Sequence, residues 1–414
     1  MLFFSKSNIQ NILSILFCSL PLALVTGPFL SDLILSLIGL YFIIISIRDR
    51  LWIYYKNKFV YLFVTFYFLI LFGSIFSSTP MNSLESSLFY FRYLFFTLGV
   101  MYLLDHKPKL SYYFGYVLFT TILIVLADAY IQFFTGYNIL GYEKWSINRL
   151  SGFLKDEALG RYLAYLMPLL FATLSMKKII YRYELIVAMA ILILCDILVY
   201  LTGERTSFIL LLLGTLIIIF NIKRYKYLRA ICFIISIIII FLITNFNSEI
   251  KQRVIKESLQ GFEIGSDDIK IINKHYDTLY KTSFQMFLDN PIMGIGVKNY
   301  RLVCNDEKYY SDDSCSTHPH NTLLQFLSET GISGSIFYFG VFMFCILKLF
   351  KNFMYLITKR IEFMLEDYQV CLYTCYVVIL WPLAPSLNFF NNWVSILYFL
   401  PLPFLLIDKE NLYK

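Results

Sequence analysis

The stretch Cys315–Gly334 reads CSTHPHNTLLQFLSETGISG, and it leads a row of polar side chains into the mouth of an apolar run. Two of the four histidines of the chain lie in it. Pro319 suits the first turn of a helix, where its missing N–H would be unpaired anyway. The spacing therefore predicts a helix beginning around His318–Pro319. The N–H groups of His320 and Asn321 would then face outward as an anion-attracting end. Beyond them, Asn321, Gln325 and Glu329 follow at i, i+4 and i+8, so one face is polar for two turns. In lipid such a face points toward a wet cavity, or it forms a hydrogen-bonded seam between helices.

The rest of the chain explains why lipid is the right solvent. Of 414 residues, 58% are hydrophobic, 19% aromatic and 15% charged, which is too apolar for one soluble core. Runs of about 20 apolar residues, enough to cross a bilayer, recur along nearly the whole length. The expected fold class is an all-α integral membrane protein with about twelve spans. These are roughly 8–26, 30–47, 59–76, 88–104, 112–134, 159–176, 183–201, 206–220, 228–245, 321–349, 368–385 and 393–408. They divide into N-terminal helices 1–134, central helices 135–245 with an outer loop 135–158, an outer loop or lid 246–320, and C-terminal helices 321–414. The first apolar run lacks a small-residue cleavage site and is expected to be a retained span.

Basic residues alternate between loops. Arg48, Arg50, Lys56 and Lys58, then Lys107 and Lys109, Lys177, Lys178 and Arg182, Lys223 to Arg229, and Lys348 to Arg360 all fall on one side. The short loops 77–87 and 386–392 between them hold no Lys or Arg. By the positive-inside rule both termini are cytoplasmic and the two long loops lie outside. The net charge of +7 is then a topology signal, and nucleic-acid binding has no motif to support it. Six of the eight cysteines fall in spans as small hydrophobes. Cys304 and Cys315 share the long outer loop, where a disulfide is expected in an oxidising compartment.

Several charged groups join the opening segment at the outer end. Arg205 in LTGERTSF (Leu201–Phe208) is wedged between two apolar runs, and its fork matches phosphate oxygens. The alternative for it is a salt bridge with Glu204 or Glu329. Arg149 begins a segment with Lys155, Asp156, Glu157 and Arg161 close by. His275 is a weaker candidate, and Arg92 either faces the cavity or pairs with Asp128. No compact metal-ligand set, nucleotide-binding glycine loop or GxSxG elbow is present. Gly294 and Gly296 in NPIMGIG read as turn residues. Arginines plus a histidine suit transfer from a lipid-linked pyrophosphate to a hydroxyl, with histidine taking the proton and arginine offsetting the departing charge.

These residues resemble the O-antigen ligase and polymerase superfamily of bacterial inner-membrane enzymes. The most specific likeness is His320–Asn321 followed by nine residues, Gly331, two residues and Gly334. RLSGFLKDEALGRYLA (Arg149–Ala164), TGERTSF (Thr202–Phe208) and MFLDNPIMGIGVKNYR (Met286–Arg301) are similar to three further family segments. The resemblance implies an inverting, metal-independent glycosyltransferase without a cofactor, acting at the periplasmic face on an undecaprenyl-diphosphate-linked glycan. His320 would be the base, with His318 the lesser candidate, and Arg205 and Arg149 would contact pyrophosphate or donor sugar. Asn321, Gln325, Glu329 and Glu157 would line the substrate site. Tyr276 or Tyr280 occupies the lid region where Arg or Trp is common in the family. Lipid A–core as acceptor would make a ligase, and a second lipid-linked repeat a polymerase. The non-enzyme alternative is a lipid-linked oligosaccharide flippase or anion transporter, which would need polar or broken helices at the midplane.

Overall fold

The computed structural model describes residues 6–145, 149–154, 158–177, 181–247, 250–252, 263–264, 269–270, 274–359 and 364–407. Its helices, in chain order, are α1 (Lys6–Thr26), α2 (Pro28–Arg48), α3 (Lys58–Ile75), α4 (Pro80–Ser87), α5 (Arg92–His106), α6 (Leu110–Thr135), α7 (Leu159–Ser175) and α8 (Arg182–Leu201). There follow α9 (Arg205–Asn221), α10 (Lys226–Phe246), α11 (Lys274–Asp289), α12 (Tyr300–Val303), α13 (Thr322–Thr358), α14 (Asp367–Ile379), α15 (Asn392–Phe399) and α16 (Leu402–Leu406). A two-residue antiparallel ladder pairs Glu263–Ile264 with Ile269–Lys270. Among the described residues eight helices are long and apolar enough to cross a membrane, Pro80–His106 counting as one, while α7, α9 and Asn392–Leu406 are shorter apolar helices.

Where helices stop departs from the sequence reading in three places, each with a local cause. The tenth expected span, α13, begins at Thr322, four residues after His318, because His320 adopts a left-handed backbone (φ 54°) that no helix can contain. Asn321 is its N-cap, and its Oδ1 accepts from Leu324 N at 3.0 Å. The eleventh expected span ends at Ile379, since Pro382 and Pro385 follow and proline cannot continue the hydrogen-bond ladder. The twelfth is broken between Phe399 and Leu402, around Pro401 and Pro403.

Helices α7 and α14 form the centre. Nearly every residue of α7 from Leu159 to Thr173 is buried, as is α14 from Tyr368 to Ile379, the pattern of helices apolar on all sides. They pack on each other and on α9, and α14 also meets α13. On the other flank, α2 and α5 approach closely over glycine. A Cβ at Gly99 would lie 2.9 Å from Ile38 Cγ2, so a larger residue would push the helices apart. Arg92 pairs with Asp32, Nη1 to Oδ2 at 3.0 Å. It does not pair with Asp128, whose Oδ1 accepts from Ile139 N at 2.8 Å.

Helix α10 buries only Arg229, Cys232, Ser236 and Ile240. Arg229 holds Asp196 of α8 in a bidentate pair (2.7 and 2.9 Å) and donates to Thr215 Oγ1 of α9 at 2.6 Å. Ser236 Oγ completes the cluster with a 3.0 Å bond to Asp196 Oδ2. Three helices are thus tied through one ion pair whose charges cancel away from water.

Candidate functional site

Two of the glycine motifs turn out to be one structural unit. Helix α13 is kinked at Gly331 (φ 64°, ψ −163°), where the backbone leaves helical geometry. The released groups are met by the Pro291–Gly296 turn segment, which runs alongside. Ile295 N and Gly296 N donate to Ser328 O and Glu329 O at 2.8 and 3.0 Å, and Ile332 N donates to Pro291 O at 2.8 Å. A Cβ at Gly294 would lie 2.4 Å from the carbonyl carbon of Glu329, and one at Gly331 would lie 2.4 Å from that of Ile292. Only glycine lets the two backbones touch there.

This clasp seats a small cap on the bundle. Leu279, Met286, Ile295, Tyr300, Val303 and Cys304 form a hydrophobic cluster separate from the main core, flanked by Tyr276, Tyr280 and Tyr309. Cys304 and Cys315 are joined by a disulfide, with Cα atoms 5.3 Å apart. Helix α11 docks on α13 through Ser283 Oγ, which donates to Leu324 O at 3.0 Å.

Beneath the cap, the loop between α14 and α15 presents main-chain carbonyls to His318, Arg161 and Asn321. His318 is buried, and its Nε2 is 3.0 Å from Ser386 O while Nδ1 is 3.0 Å from Thr317 Oγ1. A carbonyl can only accept, so Nε2 carries the proton and Nδ1 accepts from the threonine hydroxyl. Burial holds the imidazole neutral, pushing its pKa down to about 3, helped by positive charge from His320, Arg161 and Arg301 and opposed by the Ser386 bond. His318 is therefore a fixed donor. His320 differs: its ring is half-buried, lies tilted by 41° with its centroid 4.1 Å from that of His318, and meets Tyr276 edge-on at 5.9 Å. Its Nε2 is 3.0 Å from Ser316 Oγ, and its carbonyl accepts from Ser386 N at 2.8 Å.

The polar diagonal of α13 faces the same loop. Asn321 Nδ2 donates to Pro382 O at 2.9 Å, Thr322 Oγ1 to Ser386 Oγ at 2.7 Å, and Gln325 Nε2 to Asn388 Oδ1 at 2.8 Å. Gln325 also donates to Glu329 Oε2 (3.0 Å) and accepts from Phe389 N (2.9 Å). These bonds make the diagonal a seam between α13 and the C-terminal loop, and its cap at Asn321 occupies one first-turn donor that an anion would need.

Glu204 also has a positional task. Its carboxylate caps the start of α7, accepting from Gly160 N at 2.6 Å and Arg161 N at 3.2 Å, and it accepts from Ser207 Oγ at 2.7 Å. Gly160 is required because a Cβ there would lie 2.8 Å from Thr202 Oγ1. Arg205, next to Glu204, opens α9 and is exposed. Arg149 is exposed as well. The segment after it is held by Gln132, whose Oε1 accepts from Ser151 N and Gly152 N at 3.0 and 2.8 Å. Lys155, Asp156 and Glu157 lie outside the described residues, as does the side chain of His275.

Sequence reasoning missed two contributors. The carbonyls of Pro382, Pro385 and Ser386 have no side-chain signature, although two prolines and three asparagines in WPLAPSLNFFNN mark a broken helix. Arg161 was only a neighbour in sequence, yet its Nη2 reaches Pro385 O at 3.4 Å, within the histidine seam. Among the described residues no group of three His, Cys, Asp or Glu is arranged to hold a metal ion. A cavity of about 700 Å³ lies at the opposite end of the bundle, lined by Lys109, Tyr112, Tyr116, Lys177 and Glu184 among others, and touches none of these groups.

The fold and site define a polytopic helical membrane protein with a capped polar centre at one end. Residues 187–339 match the family model described as O-antigen ligase. That segment contains TGERTSF, the NPIMGIG clasp and the His320–Gly334 motif, and it supports the O-antigen ligase/polymerase superfamily for this chain, with ligase- or polymerase-type function in general. No curated protein matches the chain.

Proposed function

We propose that the chain is a membrane glycosyltransferase of the ligase type. It would move a glycan from undecaprenyl diphosphate to a hydroxyl of lipid A–core at the periplasmic face of the bacterial inner membrane. In this reading both termini are cytoplasmic, the spans number about twelve, and residues 246–320 form the periplasmic lid. The observation that carries the proposal is His320. It is the half-buried histidine at the head of α13, beside a neutral partner histidine and under the tyrosines of the cap.

His320 takes the proton of the acceptor hydroxyl as its oxygen attacks the anomeric carbon. The new glycosidic bond forms opposite the breaking bond to phosphate, so the anomeric configuration inverts. The electron pair leaves with undecaprenyl diphosphate, and Arg205 and Arg149 offset its growing charge. No divalent metal or other cofactor takes part. Purified protein, reconstituted with lipid-linked glycan in excess chelator, is offered lipid A–core or further lipid-linked repeat. Glycan on lipid A–core is the expected product. Elongated lipid-linked glycan would make the protein a polymerase. Movement of intact donor across the bilayer without product would make it a transporter, and activity restored only by magnesium or manganese would return a metal to the reaction.

A further inference from the structure

We propose that Arg161 is a further binding residue of this centre, holding a diphosphate beneath the cap through a guanidinium that the fold leaves largely unused. The proposal rests on the glycosyl-transfer reading above and adds the residue that grips the leaving group from the bundle side.

Arg161 belongs to the first turn of α7, one of the two most buried helices. Its backbone N–H is spent on Glu204, but its side chain makes one long bond, to Pro385 O at 3.4 Å. Its Nε is buried and has no partner among the described residues. A guanidinium carries five donors in a planar fork, and a buried charged donor left unmet costs more than a neutral one. The opposing carboxylate at hand, Glu204, is already committed to Gly160 N, Arg161 N and Ser207 Oγ. The contrast with Arg229 is direct, since that fork is filled by Asp196 and Thr215.

The surroundings define what would fill Arg161. Its charge acts on His318 and on Tyr280 of the cap. The field of Arg301, in α12, also reaches His318. Two guanidinium groups thus act on a place where His318 stays neutral. A ligand with several anionic oxygens in a compact, tetrahedral arrangement satisfies such a set, and the fork favours bidentate contact with adjacent phosphate oxygens. A diphosphate fits, whether free or carried on a polyprenyl lipid.

The test uses the purified full chain and inorganic pyrophosphate as competitor of transfer from lipid-linked glycan, with inorganic phosphate as a parallel arm. Pyrophosphate is expected to compete with donor, and phosphate at least about tenfold more weakly. In Arg161→Gln the pyrophosphate inhibition constant and the donor KM both rise about tenfold with an unchanged melting temperature. Arg161→Lys, which keeps charge and stem without the fork, falls between and guards against misfolding of the glutamine variant. Wild-type inhibition and KM in both variants would overturn the assignment and leave Arg161 a structural residue, with the transfer reading intact. Equal competition by phosphate and pyrophosphate would replace the diphosphate with a single phosphate group and overturn it too. Absence of both transfer and pyrophosphate binding in the wild type would sink this inference together with the proposed function.

Discussion

Two polar clusters at the helix interfaces are built on opposite rules. Around Asp196 and Arg229 both carboxylate oxygens and the guanidinium have partners, and the cluster is 2–3% exposed. Around His318, His320 and Arg161 the partners are two main-chain carbonyls and two hydroxyls, one ring is half-buried and one guanidinium nitrogen is unmet. A closed polar cluster in a bundle fixes helix against helix, because every donor and acceptor is satisfied within the protein. An open one keeps capacity for a ligand. Sequence reading tends to treat an intramembrane charge as functional by default. Here closure marks the structural case, and openness is the ground on which the other cluster is proposed as the site.

Breaking the closed cluster should give the largest loss of stability. Asp196→Ala leaves Arg229 buried and uncompensated, and a cost of about 3–5 kcal/mol is expected. Thermal unfolding in detergent reads it, and the protein that remains folded should keep its transfer rate. An unchanged melting temperature would mean the pair is not closed in solution. The glycine clasp comes next. Gly331→Ala places a methyl against Ile292 in a left-handed backbone, at a cost of about 1–3 kcal/mol. Because the clasp seats the cap, limited proteolysis should cut residues 274–320 faster before the bundle itself unfolds. Equal protection of cap and bundle would detach the clasp from cap seating.

A smaller effect concerns pH and comes from the open cluster. His318 takes up a proton near 6.5 when unfolded but only near about 3 in place. Between those values the unfolded chain binds more protons, so stability rises with pH across the window and is lost as pH falls from 6.5 toward 3. His318→Gln should flatten that slope while leaving stability above neutrality nearly unchanged. A variant with the wild-type slope would place the titration elsewhere.

How much of this was legible beforehand depends on the kind of group. Apolar length and loop charge gave a polytopic helical bundle, and the glycine and histidine spacings pointed to the segments that meet at the site. What spacing does not reveal is that Gly294 lies against Glu329 and Gly331 against Ile292, because these contacts join backbones 35 and 39 residues apart in sequence. Pro319 looked like a helix start, yet the left-handed turn at His320 postpones α13 and leaves Asn321 to cap it. The carbonyls of residues 382–386 were invisible for a simpler reason, since every residue has one. Arg161 was overshadowed by Arg149 and Arg205, which occupy better motifs but are exposed.

The central claim is that the open cluster, and His320 within it, performs transfer. The direct measurement is glycan transfer by His320→Ala reconstituted beside the wild type, with the melting temperature of each recorded in the same preparation. The account predicts a loss of at least about a hundredfold in rate, within the range for removing a general base, at an unchanged melting temperature. His318→Ala should lose less. Wild-type transfer by a folded His320→Ala protein would contradict the account.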